Sequence, residues 1–93
     1  MPKAQLLVRV KESYRGGIRE VVIWLLPEPL PGCSHRLKYR LYYGISGGQC
    51  LVRYDNERGK GDHRHVQGNE ETYNFTTVEN LLNDFDKDIR RLP

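Results

Sequence analysis

Long apolar runs and sulfur-bearing residues are scarce in this chain of 93 residues, which has two cysteines, one methionine, one tryptophan and two phenylalanines. The longest unbroken apolar stretch, Val21 to Leu26, falls far short of the roughly 20 residues a membrane-spanning helix needs. Pro2, Lys3 and Gln5 precede only a brief apolar stretch with no small-residue cleavage site, so no signal peptide is expected and a cytoplasmic location is. Cys33 and Cys50 form no CxxC pair. Free thiols are therefore expected, not a disulfide framework or a thiolate zinc site. Cys50 alternates with Val52 and Tyr54 and reads as a small core residue. Gly59-Lys60-Gly61 lacks the GxxxxGK[ST] spacing of a nucleotide-binding phosphate loop. With no internal repeat or low-complexity tract, residues 1–93 read as a single domain.

Charge is uneven along the chain. The net value of +3 hides a basic middle, where Arg36, Lys38, Arg40, Arg53, Arg58, Lys60 and Arg64 face only Asp55, Glu57 and Asp62. After His65 the acids outnumber the bases. A basic centre suits a phosphate-bearing partner, although a solvated strand face accounts for it equally well.

The pattern of residues predicts an α+β fold: a four- or five-stranded, mostly antiparallel sheet with one C-terminal helix packed on one face. Ala4 to Ser13 reads as a strand with Leu6, Val8 and Val10 on one side. Tyr14-Arg15-Gly16-Gly17 makes the hairpin loop, and Ile18 to Leu26 returns as a strand buried on both faces. Three prolines between Pro27 and Pro31 remove ladder donors and predict a stiff connector. Arg36 to Gly44 alternates, Ser46-Gly47-Gly48 turns, and Gln49 to Asn56 returns. Glu57 to Glu71 has almost no apolar residues and reads as a long loop, of a length that is usually functional or disordered. Thr72 to Phe75 is at most a short strand. Thr76 or Thr77 then caps a helix, with Glu79 spaced for a capping box, and Val78, Leu81, Leu82, Phe85, Ile89 and Leu92 form its apolar stripe.

The candidate chemistry lies between Arg53 and His65. His63 and His65, two apart, project to one side if the backbone is extended, and a pair of imidazoles can supply both a base and an acid near neutrality. Cleavage of an RNA phosphodiester needs that division, together with a cation for the phosphorane-like charge. Arg53, Arg58, Lys60 and Arg64 are candidates for the cation. Asp55 or Asp62 can orient an imidazole, and Tyr54 can stack on a base or donate a proton. Lys38, Arg40 and Tyr42 share a face and form a basic, aromatic candidate for RNA binding, with Arg58 and Lys60 beside it. The alternatives are plain ones. The HxH pair can simply be exposed, and Asp55-Asn56 can cap the strand end through side-chain hydrogen bonds. His63, His65 and one Asp are a thin zinc set, and no metal or cofactor is expected. Trp24, Tyr39 and Tyr43 are expected in the core, with a stacking platform as the lesser alternative.

The strings Lys38-Tyr39-Arg40-Leu41-Tyr42-Tyr43-Gly44, Arg53 to His65 (RYDNERGKGDHRH), and Tyr73-Asn74-Phe75-Thr76 leading into a helix resemble the TumE-type toxin family. The Val22-Ile23-Trp24-Leu25-Leu26-Pro27 run extends the likeness over most of the chain. The resemblance implies a bacterial toxin of a type II toxin–antitoxin pair, encoded beside a helix-turn-helix antitoxin that binds and silences it. Ribonuclease action is the expectation for small basic toxins of this kind. Small ribonuclease toxins of the RelE type place helices before their sheet, whereas this chain opens on strands. The leading reading is a metal-independent endoribonuclease using the His pair. The alternatives are a non-catalytic RNA- or ribosome-binding module and a protein-interaction adaptor.

Overall fold

A computed structural model describes residues 3–45 and 47–93. β1 (Gln5–Tyr14) and β2 (Gly17–Leu25) join through Arg15 and Gly16, whose φ values of 47° and 80° are both positive. That is the two-residue turn whose twist matches the flanking strands, and glycine adopts it without a steric penalty. β3 (Leu37–Gly44), β4 (Cys50–Glu57), β5 (Gly61–Val66) and β6 (Asn69–Thr72) follow, and α1 (Val78–Arg90) is the last element. The strands form one antiparallel sheet in the order β1-β2-β3-β4-β5-β6. Of the turn predicted at Ser46-Gly47-Gly48, Ser46 lies outside the described residues.

The α+β class and the helix on one face agree with the sequence pattern. The sheet, however, has six strands, where four or five are predicted. The difference is β5 and β6, which occupy the expected loop. β5 shows no apolar alternation because its helix-side positions, Asp62 and Arg64, bond to polar groups: Tyr39 and His35 for Asp62, Tyr54 and Asp88 for Arg64. A second difference lies in β1. A register shift between Leu6 and Val8 pairs Leu6 with Trp24 but Val8 with Ile23, so the two leucine-spaced positions fall on opposite faces. A bulge reverses side-chain alternation in this way.

Val21, Ile23, Tyr39, Leu41, Tyr43, Val52 and Tyr54 from β2 to β4 make the core with Leu81, Phe85 and Ile89 of α1. Each large apolar side chain buried there contributes about 1.5–3 kcal/mol. α1 lies over β4. Thr77 is its N-cap, accepting the Asn80 N–H at 3.0 Å, while Thr76 Oγ1 accepts from the Asn80 amide at 2.9 Å. The predicted Thr76–Glu79 box therefore gives way to a Thr77 cap.

The proline-rich connector is pinned at both ends. Leu26 N–H donates to the Arg36 carbonyl at 2.7 Å, and Gly59 N–H donates to the Pro31 carbonyl at 2.7 Å. A Cβ on Gly61, whose φ is 78°, would meet the Gly32 carbonyl oxygen at 3.0 Å. The glycine here permits backbone-to-backbone approach between connector and β4–β5 turn. Among the described residues, no helix covers the opposite face of the sheet. Val22 and Trp24 are only half-buried there, so the expected burial of β2 on both faces is not met.

Candidate functional site

The strand register places the chemistry in two cross-strand rows on the open face. In one row, Lys11, Glu20, Tyr42, Arg53, His65 and Glu70 are successive partners from β1 to β6. In the other, Arg9, Val22, Arg40, Asp55, His63 and Thr72 are. Adjacent strands lie about 4.8 Å apart, so neighbours within a row can touch.

At the β4–β6 end they do. His63 Nδ1 and His65 Nε2 each lie 3.5 Å from the same Glu70 Oε1. Arg53 Nη2 is 2.9 Å from His65 Nε2, and Arg53 Nε is 3.2 Å from an Asp55 carboxylate oxygen. A guanidinium only donates, so His65 Nε2 presents its lone pair toward Arg53. His63 Nε2 lies 2.8 Å from the Lys60 carbonyl, which only accepts, so that nitrogen carries a proton. The partners thus assign opposite tautomers to the two rings, with the proton of His63 on Nε2 and that of His65 on Nδ1. Arg53 Nε is buried and, among the described residues, has no hydrogen-bond partner of good geometry. Its nearest acceptor is the Asp55 carboxylate, which fixes the guanidinium beside His65.

Beside this cluster is a groove of about 500 Å³ lined by Val22, Trp24, Lys38, Tyr39, Arg40, Arg53, Asp55 and Glu57. The volume falls within the ~300–1,000 Å³ of small-molecule sites. Much of the basic surplus is matched by acids nearby. Arg40 pairs with Glu20 at 3.1 Å and its guanidinium lies 5.1 Å from the centre of the Tyr42 ring. The Lys38 ammonium donates to the Asn56 carbonyl.

Of the residues singled out in the sequence, the structure brings together His63, His65, Arg53 and Asp55, with Lys38, Arg40 and Tyr42 on the same face. It does not bring Tyr54 or Arg64 there. Both point to the helix side, where Tyr54 donates to Asp88 and Arg64 pairs with Glu71 and lies 3.6 Å from Asp88. Burial, and then the bond to Asp88, push the Tyr54 phenol well above its ordinary range, which suits a structural hydroxyl and not a proton donor in turnover. Arg58 and Lys60 are exposed in the β4–β5 turn, with the Lys60 ammonium 3.8 Å from Glu57. Asp62 does hold an imidazole, but that of His35, on the helix side at 2.8 Å.

Glu70 and Trp24 are the site residues that the sequence reading missed. Trp24 was expected in the core. The signal for Glu70 is Gln67-Gly68, a positive-φ pair with values of 48° and 86°. Read as a hairpin turn, it counts Glu70 to the position opposite His65.

Among the described residues, Cys33, His35 and Asp62 gather donor atoms within 4.8 Å of one another. Their hydrogen bonds make a structural clamp and not a metal centre. His35 Nδ1 accepts the Leu37 N–H at 3.1 Å, which leaves the ring proton on Nε2, donated to Asp62. Metal-bound histidines show the reverse, donating from the nitrogen that faces the protein. Tyr39 donates to the same Asp62 at 2.7 Å. Burial, and then the Asp62 charge, push the Cys33 thiol up and keep it protonated. The two cysteines are free, as expected.

No helix among the described residues is long and apolar enough to cross a membrane. No curated protein and no solved structure matches the chain. The family model described as Toxin TumE matches residues 3–93, which takes in both the open-face cluster and the helix-side clamp, and the chain belongs to that toxin family.

Proposed function

We propose that this toxin is a metal-independent endoribonuclease whose reacting groups are His65, His63, Glu70 and Arg53, and that a helix-turn-helix antitoxin silences it. The observation that carries the reading is the convergence of two imidazoles on one carboxylate, with a guanidinium 2.9 Å from one ring.

The proton inventory suits phosphodiester transfer. When the substrate phosphate draws the Arg53 guanidinium to itself, His65 Nε2 is released to take the proton of a ribose 2′-hydroxyl, and the freed oxygen attacks the adjacent phosphorus. The bond from phosphorus to the 5′-oxygen breaks. His63 keeps its Nε2 proton on the Lys60 carbonyl and, as the acid, delivers to that leaving oxygen a proton carried on Nδ1 beside Glu70. The products are a 2′,3′-cyclic phosphate and a 5′-hydroxyl. Arg53 donates to the phosphoryl oxygens as their charge grows, and Asp55 holds the guanidinium in place. Lys38, Arg40 and Tyr42 extend the surface along which the RNA lies.

Cleavage of a labelled single-stranded RNA in EDTA tests the reading. General acid–base groups contribute about 10²–10⁴-fold, so His65→Ala and Glu70→Gln are each expected to slow cleavage roughly 100-fold with the circular dichroism spectrum unchanged. Full activity in the His63→Ala/His65→Ala double variant would end the proposal. Salt-sensitive retention of RNA with no cleavage products would instead establish the binding-module reading.

A further inference from the structure

Besides the cations Lys38, Arg40 and Arg53, the groove beside the reacting groups offers an aromatic wall and two carboxylates. Trp24 presents an indole on the open face, half-buried and with no helix over it. The ammonium of Lys38 is tied to the Asn56 carbonyl, so its carbon stem lines the wall. Asp55 and Glu57 bring carboxylates to the same groove. Asp55 is held by Arg53 at 3.2 Å. Glu57 is exposed at the end of β4, with the Lys60 ammonium 3.8 Å from its carboxylate as its one ion-pair partner among the described residues. A flat aromatic wall with one loosely held carboxylate at its end has the form of a base-recognition pocket.

We infer that this groove is a nucleobase subsite for single-stranded RNA, in which Trp24 stacks on the base and Glu57 selects guanine. The inference deepens the ribonuclease reading and rests on it for the neighbouring phosphate. Arg53 and Asp55 line the groove and are the cross-strand partners of His65 and His63. A base seated there places its own 3′-phosphate one strand spacing away, about 5 Å. Every base has a π-face, so stacking alone is indifferent to sequence. The choice comes from the carboxylate, which only accepts when ionised. Guanine alone presents two adjacent N–H donors on its Watson–Crick edge, at N1 and at the 2-amino group. Adenine and cytosine set an acceptor nitrogen beside their amino group, and uracil sets one N–H between two carbonyls. Against Glu57 those acceptors stay unpaired, and leaving polar groups unpaired in a binding site is the stronger form of discrimination. The edge used is hidden in a duplex, so the substrate is single-stranded.

Trp24 is the only tryptophan in the chain, so intrinsic fluorescence reports directly on the groove. The test titrates the intact protein with 3′-GMP, 3′-IMP, 3′-AMP and 3′-UMP. The expected result is saturable quenching by 3′-GMP, with at least tenfold weaker affinity for 3′-IMP, which lacks the 2-amino group, and for 3′-UMP. Glu57→Gln is expected to erase the gap between 3′-GMP and 3′-IMP while leaving the affinity for 3′-AMP within twofold. Equal affinities for all four nucleotides overturn the guanine assignment. Absence of quenching overturns the subsite altogether, and if RNA is still cut in a His65-dependent way the ribonuclease reading survives that loss. Guanine-selective quenching in a protein that never cuts RNA leaves the subsite standing and removes the catalytic reading.

Discussion

Asn56 is fully buried, and its side chain does the work of a missing rung in the sheet. Its Oδ1 accepts the Tyr39 N–H at 2.9 Å and its Nδ2 donates to the Leu37 carbonyl at 2.6 Å. The same amide nitrogen lies 3.8 Å from Cys33 Sγ, which ties the proline-rich connector to the end of β4. The bonds to Tyr39 and Leu37 run across to β3 and not to the neighbouring backbone, as an Asx cap of the strand end would, while Asp55 faces the open side. Asn56→Ala strands one buried backbone donor and one acceptor, each at about 1–3 kcal/mol. The variant is expected to lose roughly 3 kcal/mol in urea unfolding. A loss below 0.5 kcal/mol, on the order of an exposed surface change, would show that water or a shifted strand end replaces those bonds.

At the level of elements, the helix was the most legible part of the chain and the last two strands the least. Leu81, Phe85 and Ile89 carry a 3.6-residue period, and all three are buried against the sheet. Losing the Thr77 cap leaves the Asn80 N–H without its partner, and Thr77→Ala is expected to cost about 1 kcal/mol, read as a lower urea midpoint with an unchanged slope. β5 and β6 hide because burial is not what holds them. Gly61 to Val66 places His63 and His65 on an uncovered face and Asp62 and Arg64 among polar partners, so no apolar rhythm marks the strand. Glu70 sits in β6, where all four residues are exposed. The candidate site was therefore half visible. Residue types concentrated between Arg53 and His65 marked the place, but which of them share a face depends on the β4–β5 register, and that register brings in Glu70 and leaves out Tyr54 and Arg64. Trp24 misled for a related reason, since a continuous apolar run signals two covered faces only when something lies over both.

For the molecule as a whole, three phenols are bonded to carboxylates: the buried Tyr39 to Asp62 and Tyr54 to Asp88, and the half-buried Tyr73 to Asp84. Burial foremost, and then those bonds, raise all three phenols well above their ordinary value. The folded protein therefore holds these protons more tightly than the unfolded chain, whose tyrosines titrate near pH 10. Their contribution to stability is complete below about pH 10 and falls away as the pH rises beyond it, because the unfolded state ionises first. Thermal melts from pH 8 to pH 11 are expected to show a falling midpoint above about pH 10, with a shallower fall in Tyr54→Phe. Equal slopes for the two proteins would show that Tyr54 contributes nothing to the alkaline transition.

The sheet's strictly sequential strand order has a consequence for how the toxin comes into being on the ribosome. Each strand pairs with the one made just before it, so hairpins can close as they emerge, and such local connectivity favours quick folding. Yet Leu81, Phe85 and Ile89, which seal the core over β4, are translated after all six strands. The histidine-bearing strands are thus complete before the layer that stabilises them exists. Until that helix has cleared the ribosome, one face of the sheet stands bare, and the fold becomes durable only when the helix settles over it.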